Sequence, residues 1–318
     1  MKAAILYDAH DFRIENLPDP VIEKDECLIK IKACGVCHSE IHQWDKKIFE
    51  LNYPRHIGHE ISGEIIDVGQ NVSNFKIGDK VAAWVDGKGY ADKISIKQDR
   101  LYLMNEELSF EEAALLEPVS CSINAILKTN IQLGDTVAII GTGFMGLILL
   151  QLIRLTGASK IIAIDIRDEI LRLSKDMGAD IIINPQNDNV KQIINDITNG
   201  KGVDISFESG GIQNTIDLAA SICRMEGKLV IFGYHPGQRI IQDLGYWNWM
   251  AFEIINAHFR NINTILRGSR IGIQLLNERR INVKQLITHK YNLSEIEQAF
   301  TVAKNKPAGF VKSVIIMD

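Results

Sequence analysis

Thr136-Val-Ala-Ile-Ile-Gly141-Thr-Gly143-Phe144-Met145-Gly146, running on into the apolar segment Leu147–Leu155, is the most informative stretch of the 318-residue chain. Four β-prone apolar residues lead into three glycines at a fixed spacing, and a helix-length apolar segment follows. Gly141 permits a tight turn, Gly143 lets backbone N–H groups approach a pyrophosphate, and Gly146 lets helix and strand pack closely. Phe144 and Met145 fall at the helix start, whose dipole presents its positive end to phosphates. A second strand, Lys160–Ile164, ends at Asp165, nineteen residues past Gly146.

Strand, glycine turn, helix and second-strand acid together give a Rossmann-type dinucleotide-binding unit. Asp165 is expected to accept hydrogen bonds from the adenosine ribose and to repel a 2′-phosphate, which favours NAD over NADP. Arg167 either softens that preference or stacks on adenine. The alternation continues through strands at Ile181–Ile183, Val203–Phe207 and Lys228–Phe232, with helices around Val190–Ile197 and Ile212–Cys223 and a further strand expected near Ala257–Ile262. Such alternation implies a parallel sheet covered on both faces. Gly210-Gly211 and Gly233 fall at C-terminal strand ends, where open α/β sheets bind ligands. The glycines also break Val137–Ile153 into strand, turn and helix, so this apolar run is not read as a membrane span.

Composition sets bounds on the rest. Charged residues at 24% and a net charge of −5 are ordinary for a soluble domain and point to neither nucleic acid nor an anionic membrane as partner. Five cysteines in a long chain argue for a reducing compartment over a disulfide framework. The start, Met1–Asp8, has too short an apolar run for a secretory signal. A cytoplasmic protein is expected.

The first third reads differently. Short β-branched runs at Ala3–Tyr7, Cys27–Ala33, Ile61–Val68, Lys80–Val85 and Lys93–Ile96 alternate with turn signals, suggesting a barrel-like β domain. Within it, Cys37-His38-Ser39-Glu-Ile-His42-Gln-Trp44 and Gly58-His59-Glu60 bring together a thiol, imidazoles, a hydroxyl and carboxylates. Catalytic zinc takes about three such N, S or O ligands and keeps an open position. Ser39 followed by His42 supplies a hydroxyl and an imidazole for moving a proton, imidazole having an intrinsic pKa of about 6.5.

These two motifs, in this order, resemble the zinc pattern of the medium-chain dehydrogenase/reductase superfamily, and the first is similar to the matching segment of alcohol and sorbitol dehydrogenases. The resemblance implies a GroES-like β-rich catalytic domain, residues 1–118 and 261–318, with a Rossmann domain, 119–260, inserted. It further implies that Cys37 and His59 are zinc ligands, Glu60 is an inner carboxylate, and Ser39 and His42 form a proton relay. His38 and Lys312 match positions where relatives carry basic residues near the cofactor pyrophosphate; for Lys312 a solvated edge-strand lysine is the other reading. Cys34-x-x-Cys37 as a redox pair fits poorly in a β-rich context, which leaves Cys34 a small buried apolar residue. His10, His56, His235, His258 and His289 lack comparable company and are expected to be structural.

The third ligand is expected from Leu115-Leu-Glu117-Pro118, after a capping box on Ser109 and Glu112. In sorbitol dehydrogenases a Glu-Pro pair occupies the place of a cysteine ligand, which makes Glu117 the choice and Cys121 its rival. The loop Ala82–Tyr90 contains no cysteine, so one zinc per chain is expected and no structural zinc.

In the last third, helices are expected at Thr264–Asn277 and from Ser294, and a final strand at Phe310–Ile316. Trp44 is either pocket wall or core, and the cluster Gly245–Trp249 is undecided between core, subunit interface and pocket. The activity implied is NAD- and zinc-dependent interconversion of a secondary alcohol, polyol or sugar with its carbonyl form, in a homodimer or homotetramer. Hydride would pass to a nicotinamide held against the metal. A zinc-free enone or quinone reductase and a silent NAD-binding protein are the alternatives.

Overall fold

The computed structural model describes residues 1–47 and 51–317, and the chain forms two compact units. The first comprises Met1–Ser120 and Asn261–Asp318; the second comprises Cys121–Arg260.

In the first unit, β1 (Lys2–Asp8), β2 (Asp11–Asn16) and β3 (Glu26–Gly35) precede helix α1 (His38–Trp44). Strands β4 (Glu60–Val68), β5 (Lys80–Trp84), β6 (Lys93–Lys97) and β7 (Leu101–Leu103) follow, then helix α2 (Phe110–Ala114). Helix α3 (Leu116–Thr129) carries the chain out of this unit. Ser109 caps α2 through the Glu112 backbone N–H, and the Glu112 side chain returns to the Ser109 N–H. Pro118 lies in the first turn of α3, where its missing N–H costs nothing.

The second unit is doubly wound. It runs β8 (Thr136–Ile140), α4 (Phe144–Arg154), β9 (Lys160–Ile164), α5 (Asp168–Asp176), β10 (Ile181–Ile183), α6 (Val190–Thr198), β11 (Val203–Glu208), α7 (Gln213–Ile222), β12 (Cys223–Ile231), α8 (Leu244–Met250) and β13 (Glu253–Asn256). The chain then returns with α9 (Ile262–Asn277), β14 (Ile287–Asn292), α10 (Ile296–Asn305) and β15 (Lys312–Ile316).

Among the described residues the first unit holds a seven-stranded sheet, in the order β14-β15-β3-β4-β5-β7 with β6 also on β3, and a β1–β2 hairpin. Its core joins alternate residues of β3 and β4, such as Ile29, Ile31, Ile61 and Ile65, to Tyr90 and to Phe300 on α10. Alternation is what a sheet with one covered face requires. The second unit holds a parallel six-stranded sheet, β10-β9-β8-β11-β12-β13, with apolar side chains on both faces. The strand order reverses between β8 and β11, placing the ligand crevice at their C-terminal ends.

One expectation needs correction, and two open alternatives are decided. The strand expected at Ala257–Ile262 lies earlier, as β13, because Glu253–Asn256 pairs in register with Lys228–Ile231 of β12. Asn261 then caps α9 and the chain turns away. Lys312 is not on an edge strand: β15 lies between β14 and β3, and the lysine is 4% exposed. Trp44 is core, 2% exposed, with its indole N–H donated to Glu297 at 2.9 Å. No helix among the described residues is long and apolar enough to cross a membrane.

Candidate functional site

Strand β3 ends at Gly35, directly opposite Glu60 at the start of β4. The glycine is required there: a Cβ at Gly35 would lie 1.9 Å from Glu60 Oε2. Two residues on, Cys37 caps α1, so the first predicted ligand sits at the rigid junction of strand and helix. The short helix itself went unread in the sequence. Gly58 delivers the second ligand. Its φ of +100° is a left-handed conformation, and a Cβ would lie 2.6 Å from the Tyr90 nitrogen.

Ligand atoms of Cys37, His59 and Glu60 all fall within 4.8 Å of one another. Ser39 donates its hydroxyl to Cys37 Sγ at 3.2 Å. Its intended relay partner His42, one turn along α1, is 8% exposed and packs edge-on against His38, with ring centroids 4.7 Å apart. Glu117 lies outside the three-residue cluster, although its charge acts on Glu60 and adds to the upward push on that carboxyl's pKa. Cys121 begins the other unit.

One participant, Glu40, and one contact, that of Lys312 with Glu60, are not evident from sequence. Glu40, 1% exposed, accepts hydrogen bonds from His59 Nδ1 at 2.8 Å, the Gly58 backbone N–H at 2.7 Å and the Tyr90 hydroxyl at 2.6 Å. It fixes the His59 ring and tautomer, as carboxylates behind metal-binding histidines do. A Glu at the third position of α1, within the capping motif of Cys37, is the only local signal for it. Lys312, expected beside the cofactor, instead holds its ammonium 2.8 and 2.7 Å from the two Glu60 oxygens.

The electrostatics suit a cation. Burial alone would push the His59 pKa down, but the Glu40 carboxylate and the Cys37 sulfur outweigh it and hold the pKa well above its ordinary value. A positive charge is therefore favoured between that sulfur and the ring, where a soft-to-borderline metal with N and S donors fits. Burial raises the Glu60 pKa against the lowering effect of Lys312 and His59. His38 is open to solvent on one side. Yet the protein packed around its ring, then Lys306, His42, Lys312 and Lys47, push its pKa down to about 3, so at neutral pH it offers hydrogen bonds and no charge. Burial also raises the Cys34 thiol far above its usual pKa, consistent with an inert core residue.

In the second unit, Gly141 has a φ of +89°, and a Cβ there would lie 2.8 Å from the Gly210 nitrogen. Gly143 caps α4 and Gly146 packs onto Gly141, its would-be Cβ 2.4 Å from the Gly141 carbonyl oxygen. Phe144 begins α4, whereas Met145 packs against the core of the unit. Asp165 follows β9, 8% exposed, with Arg167 beside it. Gly233 closes on Glu208: its would-be Cβ is 2.7 Å from Glu208 Oε2. Glu208, fully buried, also takes His235 Nε2 at 2.6 Å, the Gly211 N–H at 2.7 Å and the Thr215 hydroxyl at 2.6 Å.

Comparison with known proteins bears on both units. Residues 23–110 match the alcohol dehydrogenase GroES-like domain family and residues 145–274 the zinc-binding dehydrogenase family. The chain is 33% identical to a sorbitol dehydrogenase of Bacillus subtilis (strain 168), over 94% of this chain and 92% of that one. It is 29% identical to a D-arabitol-phosphate dehydrogenase of Enterococcus avium, over 90% and 88%. An Escherichia coli oxidoreductase of unknown specificity superposes with a TM-score of 0.91 at 25% identity, covering 100% and 99%. With both family matches in chain order and the polyol relatives spanning both units, the chain belongs to the zinc-dependent medium-chain dehydrogenase/reductase superfamily.

Proposed function

We propose that this chain is a zinc- and nicotinamide-dependent dehydrogenase that interconverts a polyol, sugar or other secondary alcohol with its carbonyl form. The observation that carries the reading is the cluster of Cys37, His59 and Glu60 braced by Glu40. The polyol class is supported by the sorbitol and arabitol-phosphate dehydrogenases it resembles.

Cys37 and His59 hold the metal, with Glu117 as third ligand, directly or through a water; Glu60 stands by at the same centre, neutralised by Lys312. When bound, zinc supplies Lewis acidity toward the substrate hydroxyl, and the nicotinamide ring accepts or returns hydride. Ser39, held on Cys37 by its hydroxyl, would accept the substrate proton as it gives up its own, which would pass by way of a cofactor ribose hydroxyl to His42 and on to solvent. Glu40 keeps His59 in the tautomer that leaves its other ring nitrogen for the metal. In the second unit the Gly141–Gly146 turn and the α4 N-terminus hold the pyrophosphate, while Asp165 takes the ribose hydroxyls.

A metal-free reductase of the same fold would have no use for the Cys37–His59–Glu60 cluster. The five free thiols support a reducing, cytoplasmic setting. A homodimer or homotetramer is supported by the open edge of β13, with Ile254 52% exposed, and by Trp249 at 76% on α8. The test is NADH formation with a panel of sugar alcohols, sugar-alcohol phosphates and secondary alcohols. Activity lost in Cys37→Ser and restored by no added metal supports the reading; wild-type protein inactive on every class with zinc supplied contradicts it.

A further inference from the structure

The chain leaving β13 is held more tightly than a connecting loop requires. Asn256 Oδ1 accepts the His258 backbone N–H at 3.0 Å, and Lys128 on α3 donates to the Asn256 carbonyl at 2.7 Å. The same ammonium lies 5.6 Å from the centre of the Phe259 ring. The His258 ring reaches back to the end of β12, with Nε2 3.2 Å from the Gly233 carbonyl oxygen. A carbonyl only accepts, so Nε2 carries a proton and Nδ1 is the nitrogen left over. Nδ1 takes no hydrogen bond from the described residues, and His258 is half-buried. Gly233 is itself fixed: its N–H is donated to the Glu208 carbonyl at 2.8 Å, and Glu208 Oε2 holds His235 Nε2 at 2.6 Å. The leftover Nδ1 of His235 is enclosed, out of a ligand's reach. Tyr234, 37% exposed, stands edge-on to the His258 ring with centroids 6.4 Å apart.

These groups sit past the C-terminal ends of β12 and β13, on the ligand side of the sheet. A doubly wound sheet divides its dinucleotide between two halves, and the acid after β9 puts the adenosine half over β8 to β10. The nicotinamide half therefore lies over β11 to β13. The carbon that exchanges hydride must meet that ring, so the substrate atoms next to it face the segments leaving β12 and β13. Among the described residues of those segments, His258 is the one whose imidazole nitrogen is both held in place and uncommitted. Such a nitrogen suits a hydroxyl, since it accepts when bare and donates when protonated. We propose that His258 is a specificity-determining residue: its Nδ1 engages a hydroxyl on the carbon next to the reacting one, so that the chain favours polyols over simple secondary alcohols. This rests on the polyol dehydrogenase reading and gives His258 a role beyond the structural one expected from sequence.

Steady-state kinetics of the full-length, zinc-supplied protein with NAD test it on matched pairs, each a polyol and its analogue lacking the neighbouring hydroxyl. The first pair is 2,3-butanediol and 2-butanol. Wild type is expected to favour the polyol of a pair in kcat/KM by at least about tenfold. His258→Phe, which keeps a ring and loses both nitrogens, should cut kcat/KM at least about tenfold on the polyol, mainly through KM, and less than about threefold on its analogue. His258→Gln keeps an N–H for the Gly233 carbonyl and an acceptor oxygen, and should recover part of the loss. Calorimetric titration with NAD should give the same affinity for all three proteins. Equal losses on both members of a pair, as a merely structural ring would produce, overturn the proposal. So does NAD binding that weakens in the variants, which would make His258 a cofactor contact. Wild type that turns over both members equally overturns it and leaves the dehydrogenase reading standing; wild type inactive on every alcohol overturns both.

Discussion

Glu40 Oε1 lies 2.8 Å from His59 Nδ1, so the imidazole assigned to the metal is held from behind by a fully enclosed carboxylate. Nineteen residues separate the two in sequence, and only the return of Gly58 against α1 brings them together. Replacing the carboxylate should therefore act on the metal through the ring. We predict that Glu40→Gln weakens zinc retention by roughly 10–100-fold, the usual cost of losing such a partner. Competition with a chromophoric chelator measures this; unchanged zinc affinity would remove Glu40 from the account.

The Lys312–Glu60 pair tests the same centre through stability. Both side chains are almost fully enclosed, and Lys312 touches both Glu60 oxygens. Lys312→Met strips a buried carboxylate of its counter-charge, at an expected cost of about 3–5 kcal/mol. Urea unfolding of metal-free protein gives the number, and the double variant Lys312→Met with Glu60→Gln should recover part of it. A single variant as stable as wild type would mean that Glu60 is neutral without help.

His56 gives a pH dependence with a definite sign. Burial, then the charge of Lys88, push its pKa down to about 4 from the ordinary 6.5. The unfolded chain thus takes up the proton first as the solution is acidified. The His56 contribution to stability is complete above about pH 6.5 and is lost as the pH falls toward 4. The difference in unfolding free energy between wild type and His56→Gln should shift in favour of the variant across that window. A difference independent of pH would show that His56 titrates normally.

The proton relay is tested by kinetics. His42 lies one turn beyond Ser39 on α1, and Ser39 already touches the Cys37 sulfur. We predict that His42→Ala loses about 10–100-fold in activity near and below neutral pH and progressively less at high pH, where hydroxide substitutes. A pH–rate profile parallel to wild type would exclude His42 from proton transfer.

Local signals made most of this molecule legible. The glycine spacing at Gly141–Gly146 and the β-branched runs placed most strands, because each depends on residues a few positions apart. What escaped depends on distant pairing. Strand β2, Asp11-Phe-Arg-Ile-Glu-Asn16, is polar and partly exposed, and forms because β1 lies beside it. Strand β7 has three residues and is fixed by β5. Helix α1 was hidden in a motif read for its ligands. Lys312, read as a basic residue near the cofactor pyrophosphate or else an edge lysine, meets Glu60 only because β15 pairs with β3, 252 residues after that carboxyl. Glu208, which no local motif marks, meets His235, expected to be structural, beyond the ends of β11 and β12.

The most direct test of the central claim is metal content per chain, measured on protein purified without chelator or added metal, together with Cys37→Ser. The account predicts about one zinc in the wild type and essentially none in the variant. No zinc in wild-type protein, or zinc that survives the loss of the Cys37 thiolate, would contradict it.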